Sequence, residues 1–250
     1  MQNSSNLEVV SVSAGNGVNW VVDGFSFFGK DWLAWVGLAI VMLLLTFIAS
    51  AIPFINLLVP VITPILVGGL MMACKQQEEG GKISISVAFS GFSHKTGQLA
   101  IIGLAYLISN IAIIMVIVVL MFFIVGGAAD ISQLETMEPE VVVRNLVNVF
   151  LAMLIGLALY LPVVMALWFA PAIVVFNDVS AVDAMKDSLK GCLLNVLPFL
   201  LYGVVVLLLM ILATLPLFLG WFILLPVLTA SVYLSYRDIY PDSLEPGASA

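Results

Sequence analysis

The stretch "LAIIGLAYLISNIAIIMVIVVLMFFIV", residues 99–125, decides the fold because it runs its whole length without a charged side chain. A helix crosses the hydrocarbon core of a bilayer with about 20 apolar residues, so this stretch is long enough to span a membrane. Across the whole chain, 63% of the residues are hydrophobic and 9% are charged, against roughly 25% charged residues in soluble domains. The sequence therefore predicts an all-α, polytopic membrane protein.

Five further runs share this length and lack of charge. The six predicted spans are residues 33–52, 54–74, 99–125, 147–170, 193–213 and 217–235. Proline-containing turns, "SAIPFIN" at 50–56 and "TLPLFLG" at 214–220, are expected to join the first two and the last two spans.

The basic residues between the spans predict the orientation of the chain. Six spans leave Arg144 on one side of the membrane and the other seven basic residues on the side of the N-terminus: Lys30, Lys75, Lys82, Lys95, Lys186, Lys190 and Arg237. The positive-inside rule then places both termini in the cytoplasm. The acidic loop after the third span is expected to face outward; its acidic residues are Asp130, Glu135, Glu138 and Glu140. The net charge of −7 would ordinarily repel nucleic acid, but in a membrane chain the side on which each charge lies matters more than the sum. No nucleic-acid partner is expected.

An internal repeat organises the chain. "GVNWVVDGFSFFGKDWLAWVGLA" at 17–39 and "ISVAFSGFSHKTGQLAIIGLA" at 85–105 share "GFS" and "GLA" at nearly the same interval. "SAVDAMKDSLKGCLLNVLPFLLYG" at 180–203 takes the same place before the fifth span. The sequence thus predicts three units, each a surface helix followed by a two-span hairpin. The predicted repeats are about 15–79, 80–176 and 177–236, within a membrane domain at 15–236 and between polar tails at 1–14 and 237–250.

The surface helices are predicted to be amphipathic. The apolar face of the first is expected to hold Val18, Val21, Phe25, Phe28 and Trp32. That of the third is expected to hold Val182, Met185, Leu189 and Leu193, opposed by Asp183, Lys186, Asp187 and Lys190. "SAVD" at 180–183 has the spacing of a capping box that starts this third helix. The second copy alternates like a strand at 83–87, and a helix is expected there only by analogy.

Prolines recur in the second span of each unit or at its ends: Pro60 and Pro64, Pro162 and Pro171, and Pro216 and Pro226. Proline kinks a spanning helix, and neighbouring polar side chains can satisfy the backbone groups that it frees. We expect bending for helix packing rather than a substrate pocket lined by broken helices.

Three segments carry a resemblance to a known family: "FAPAIVVFNDVSAVDAMKDSLKGCLLNVLPFLLYG" at 169–203, "WVVDGFSFFGKDWLAW" at 20–35, and "LVGGLMMACKQQEEGGKISISVAFSGF" at 66–92. They resemble a family of uncharacterised six-span proteobacterial inner-membrane proteins. The first segment is also distantly similar to the membrane domains attached to some glycerophosphodiester phosphodiesterases. The resemblance implies a multi-pass protein of the bacterial inner membrane and supplies no catalytic residues.

The residues themselves predict no enzyme, because no nucleophile, base or metal ligands occur in a catalytic pattern. His94 is the single histidine, and no cofactor or metal is expected. Cys74 and Cys192 stand at the ends of apolar runs, which predicts buried structural thiols.

The predicted function is a non-enzymatic scaffold that organises lipid or docks a partner, whether a membrane protein or a second copy. Small residues in "LVGGLMMA" at 66–73 favour such close contacts. The possible interfacial or partner contacts are Trp20, Phe25, Phe28, Phe92, Lys95, Met185, Lys186, Leu189 and Lys190. An alternative is a channel or carrier for a small neutral or amphipathic solute. The few polar side chains near or within the spans are expected to hold helices together by hydrogen bonds more often than to bind a solute: Asn56, Asn110, Asn148, Asn195 and Tyr160. A lipid-headgroup enzyme is the third possibility, favoured only by the distant resemblance.

Overall fold

A computed structural model describes residues 7–52, 55, 58–125 and 139–244, and this part of the chain contains α-helices and no β-strand. The helices are α1 Asn16–Gly29, α2 Trp32–Ser50, α3 Val59–Glu78, α4 Ile85–Ala88, α5 Thr96–Val125, α6 Pro139–Trp168, α7 Ala170–Phe176, α8 Ala181–Leu194, α9 Val196–Thr214 and α10 Trp221–Ile239. Short 3-10 helices cover Ser90–Phe92 and Pro241–Leu244. The all-α prediction is confirmed.

Six of these helices are long and apolar enough to cross a membrane: α2, α3, α5, α6, α9 and α10. The prediction of six spans is therefore confirmed, although several bounds move. The second span was predicted at 54–74, whereas α3 begins at Val59 and ends at Glu78. Pro60 lies in its first turn, where the missing amide hydrogen of proline costs no hydrogen bond.

The sixth span begins later than its apolar run suggests. It was predicted at 217–235, but α10 covers Trp221–Ile239. Leu217 and Phe218 have φ angles of 53° and 65°, which is left-handed backbone and cannot belong to a right-handed helix. The apolar residues before Trp221 thus form the turn after α9.

The fourth candidate span contains a break near its predicted end at residue 170 and continues to Phe176. The chain breaks at Phe169 and resumes as α7. Pro171 favours this break, because its ring crowds the carbonyl group four residues earlier, although α6 continues through Pro162. The buried hydroxyl of Ser188 accepts a hydrogen bond from the Phe169 amide at 2.9 Å and donates one to the Met165 carbonyl oxygen at 2.7 Å. A side chain from α8 therefore replaces the bond that Phe169 and Met165 would make in an unbroken helix.

The second predicted surface helix is much shorter than its analogues. Only the four residues of α4 and the 3-10 turn Ser90–Phe92 are helical there. A Cβ atom at Gly91 would overlap the carbonyl oxygen of Ile65, and one at Gly69 would overlap that of Ala88. The glycines of "LVGGLMMA" thus permit close packing within this chain.

The chain divides into two compact units, Met1–Leu104 with Met165–Ala250, and Ala105–Val164. The core of the first unit is rich in large aromatic side chains, among them Trp20, Trp35, Phe169, Tyr233 and Tyr236. In the second unit, the hydroxyl groups of Tyr106 and Tyr160 lie 3.0 Å apart. The Asn110 amide donates to the Tyr106 carbonyl at 2.8 Å, so Asn110 and Tyr160 both make contacts inside that unit.

The predicted N-terminal tail is docked from residue 7 onward. Asn195 is fully buried between α8 and α9. Its side-chain nitrogen donates to the Val10 carbonyl at 3.0 Å, and its side-chain oxygen accepts from the Val12 backbone amide at 2.8 Å. The Val10 amide also donates to the Ile239 carbonyl at 3.0 Å. The polar composition of residues 1–14 had indicated a free tail and not this docking.

The predicted C-terminal tail also begins too early. Residues 237–239 belong to α10, and Tyr240 is buried. The Tyr240 hydroxyl donates to the Asp187 carbonyl at 2.9 Å, which ties the chain beyond α10 to α8.

Candidate functional site

Charged side chains gather where α3 and α10 end. Glu78 pairs with Arg237 and accepts a hydrogen bond from the Tyr233 hydroxyl at 2.5 Å. The next residue, Asp238, accepts a hydrogen bond from the indole nitrogen of Trp20 at 2.8 Å. These contacts bring α1 and the last turns of α3 and α10 together.

The first turns of α5 and α8 lie at the same end. Lys95 pairs with Asp178 just before the two helices begin, and the Gln98 side chain accepts from the Ala181 amide at 2.7 Å. The hydrogen bond from Lys95 and its charge lower the pKa of the Asp178 carboxyl. The Lys75 ammonium, in the last turn of α3, lies 5.5 Å from the ring centre of Phe176. We call this region of the first unit the charged end, defined by Glu78, Lys95, Asp178, Arg237 and Asp238.

Helix α1 presents three different stripes at the charged end. Its buried stripe packs against α9 and α10: Gly17, Trp20, Val21, Gly24 and Phe27. Its exposed apolar stripe contains Val18, Val22 and Phe25, and its exposed polar stripe contains Asn19, Asp23, Ser26 and Lys30. The predicted two-faced helix is therefore corrected to three faces, and Trp32 belongs to α2. A Cβ atom at Gly17 would overlap the carbonyl oxygen of Pro198, so small residues set the packing face that the apolar pattern missed.

Helix α8 has the same three stripes. Its buried stripe is made of small residues: Ala181, Ala184, Ser188, Gly191 and Cys192. The exposed or half-buried apolar stripe is the predicted apolar face: Val182, Met185, Leu189 and Leu193. The polar stripe holds Asp183, Lys186, Asp187 and Lys190, among which Asp183 and Lys186 form an ion pair at 3.0 Å.

Ser180 is the N-cap of α8, as the spacing of "SAVD" predicts. The Ser180 hydroxyl accepts a hydrogen bond from the Asp183 amide at 3.2 Å and donates to the Asp183 carboxylate at 2.7 Å. The bond from Ser180, followed by the bond and charge of Lys186, lowers the pKa of Asp183. The start of this helix could be predicted because a cap depends on local sequence.

The stripes of α1 and α8 follow one another in the same rotational order. With about 3.6 residues per turn and the helix viewed from its N-terminus, the buried stripe is followed clockwise by the apolar stripe and then by the polar stripe. A helix lying in a membrane surface, beside a bundle of spanning helices, faces protein, lipid and water in such an order. The two helices therefore present buried, apolar and polar faces in the same arrangement.

The predicted contact residues separate into three groups. Trp20 is 1% exposed, so its prediction as a surface contact is corrected: it packs on Phe199 with ring centres 5.4 Å apart. Partly buried are Phe28, Lys95, Met185 and Leu189, and exposed are Phe25, Phe92, Lys186 and Lys190. All nine lie in the first unit.

Two buried amides connect separate parts of the first unit, Asn195 and Gln77. Asn195 was among the polar residues expected to join helices by hydrogen bonds, whereas Gln77 was not. Gln77 accepts from the Trp35 indole at 2.7 Å and donates to the Phe27 carbonyl at 2.7 Å, which joins α1, α2 and α3. An amide within an apolar helix is a signal for such a role, but its partners lie far away in sequence.

The two cysteines are free and buried, as predicted. Burial raises the pKa of the Cys192 thiol to about 12. Among the described residues, no group of three or more His, Cys, Asp or Glu side chains could hold a metal ion.

The six helices that are long and apolar enough to cross a membrane define a polytopic α-helical membrane protein. The chain is 28% identical over 211 residues to a probable inner membrane protein of Burkholderia thailandensis, a match that covers 79% of this chain and 74% of that protein. No protein-family model and no solved structure matches the chain. The similarity and the six helices support assignment to the inner membrane.

Proposed function

We propose that the protein is a non-enzymatic scaffold of the inner membrane, in which α1 and α8 lie in the cytoplasmic membrane surface and present their polar stripes to a partner membrane protein. The observation that carries this proposal is the shared order of buried, apolar and polar stripes on the two helices. Helices of this kind bury their apolar face about 5–10 Å into the headgroup boundary. Their water-facing stripes are then held at a fixed height above the lipid.

The charges of the polar stripes favour a protein partner over a general attraction to anionic lipid. In α8, Lys186 and Lys190 are balanced by Asp183 and Asp187. A polybasic segment would instead draw anionic lipid by about 1 kcal/mol for each unbalanced Lys or Arg. Alternating signs on a rigid helix are better suited to selecting a complementary surface.

The internal repeat forms a finer part of this proposal. Gly24 and Gly91 begin the two "GFS" motifs. A Cβ atom at Gly24 would lie 2.9 Å from the carbonyl oxygen of Val227, and Gly91 faces that of Ile65; each carbonyl belongs to the residue that follows a helix-interior proline. Equivalent packing of equivalent motifs supports a repeated unit.

Cysteine labelling in spheroplasts and inverted vesicles tests the placement of the helices. Asp23→Cys and Lys190→Cys should react with a membrane-impermeant maleimide only in inverted vesicles, and Leu217→Cys, in the turn between α9 and α10, only in spheroplasts. Val22→Cys, on the apolar stripe, should react at least several-fold more slowly than Asp23→Cys. The same side for Lys190 and Leu217 would contradict the proposed topology.

Site-specific photocrosslinking in the native host tests the scaffold role. A photoreactive residue at Lys190 should give one defined protein adduct, whereas the same residue at Leu217 should not give it. The double variant Lys186→Glu with Lys190→Glu should abolish co-purification of that protein while leaving the labelling pattern unchanged. Unchanged co-purification would contradict the role given to the polar stripe.

A further inference from the structure

An apolar cavity lies between α2, α3 and α10 in the first unit. Its volume is about 150 Å³. The residues that matter for its chemistry are Trp35, Ala39 and Met42 from α2, Leu70 from α3, and Pro226 and Thr229 from α10. Met42 and Thr229 are partly exposed, so the cavity reaches the outer surface of the helices.

The polar groups in the wall are already occupied. The Trp35 indole donates to Gln77 at 2.7 Å, and the Thr229 hydroxyl donates to the Leu225 carbonyl of its own helix at 3.0 Å. A water molecule needs two to four polar partners, and apolar cavities of roughly this volume stay dry and take apolar guests. The chemistry of the wall therefore selects hydrocarbon.

The cavity lies at the depth of lipid chains. Trp35 and Met42 come three and ten residues after the start of α2, which places them about 5 and 15 Å along the helix axis. This range falls in the half of a roughly 30 Å hydrocarbon core that is nearer the charged end. Leu43 and Leu44, next to Met42, are 38% and 55% exposed, so the mouth of the cavity adjoins a lipid-facing surface.

We propose that this cavity binds the acyl chain of a phospholipid from the leaflet at the charged end. An empty cavity would leave its lining without van der Waals partners, and at this depth a lipid chain is the apolar molecule at hand. The bound chain fills the gap between the three helices and lies against Trp35. This site is independent of the scaffold role, because it requires only insertion of the chain in a bilayer.

Photolabelling with a defined lipid tests the site. The full-length protein is reconstituted in phosphatidylcholine vesicles that contain a phosphatidylcholine with a diazirine in its acyl chain, and labelled peptides are mapped by mass spectrometry. We expect adducts on Leu70 and Met42 in addition to adducts on the outward-facing Phe47. Ala39→Phe, which fills the cavity, should reduce the Leu70 and Met42 adducts at least fivefold and leave those on Phe47 unchanged.

Ala49→Phe is the matched control, because it adds the same side chain to α2 outside the cavity and should leave all adducts unchanged. If Ala39→Phe is not recovered folded, Ala39→Leu provides a smaller filling with a smaller expected loss. Adducts on Phe47 without adducts on Leu70 would overturn the proposal. Equal Leu70 labelling in wild-type and folded cavity-filled protein would overturn it as well.

Discussion

Replacing Ser188 by alanine probes the break between α6 and α7. The variant removes the hydroxyl that accepts from the Phe169 amide at 2.9 Å and donates to the Met165 carbonyl at 2.7 Å. A buried amide left without an acceptor costs about 1–3 kcal/mol, and a lost hydrogen bond in a membrane protein averages about 0.6 kcal/mol. The Cys192 thiol, 3.5 Å from the Met165 carbonyl, is only a weak donor. We therefore expect the free energy of unfolding to fall by about 2–4 kcal/mol.

Unfolding by SDS in mixed micelles, followed by tryptophan fluorescence, measures this change, since Trp168 lies next to the break. Ser26→Ala is the control: its hydroxyl is exposed and its bond to the Val22 carbonyl is long, at 3.4 Å. Such surface substitutions usually change stability by less than about 0.5 kcal/mol. A loss for Ser188→Ala no larger than that for Ser26→Ala would refute the bridging role of the hydroxyl.

Three further predictions concern packing, docking and thiol reactivity. Gly91→Ala should lower the free energy of unfolding by about 1–3 kcal/mol, because the added methyl group would overlap the Ile65 carbonyl oxygen. Gly97→Ala is the control, since no atom lies within 4 Å of its added carbon. Equal SDS unfolding curves for the two variants would contradict the close approach at Gly91. Asn195→Ala should release the N-terminal segment and speed its cleavage in limited proteolysis, and cleavage at the wild-type rate would show that the amide does not hold it. Cys192, whose pKa is raised to about 12, should stay unmodified by maleimide from pH 7 to 9 until SDS is added; rapid modification in mild detergent would contradict its burial.

The number and approximate positions of the spans could be predicted because apolar length is a local property of the sequence. The start of α8 could be predicted for the same reason, since Ser180 and Asp183 are three residues apart. The residues at which helices end could not be predicted in this way, because they depend on the backbone conformation and hydrogen bonds of particular residues. Phe169 marks a break that Pro171 favours and the Ser188 hydroxyl bridges, and Leu217 marks a turn with left-handed backbone.

The packing faces could not be predicted, because the rule for soluble helices does not transfer to a bilayer. In a soluble protein the most apolar face turns inward. In a membrane, large apolar side chains can remain against lipid while small residues let helices approach. Hence Val22 and Phe25 stay exposed on α1, while Gly17 and Gly24 pack against α9 and α10. Trp20 is buried by partners that lie near the other end of the chain, Phe199 and Asp238.

The docking of the N-terminal segment on Asn195 and Ile239 has a consequence for biosynthesis. The beginning of the chain leaves the ribosome first, but Asn195, which holds Val10 and Val12, is made only after four of the six spanning helices. Ile239, which also holds Val10, is the last residue of the sixth. Helix α1 also lacks its packing partners until late in synthesis, because its buried stripe packs against α9 and α10. A chain that stops before residue 195 therefore lacks the groups that bind residues 10–12. Assembly of the first unit is completed only when this segment and α1 pack against α8, α9 and α10.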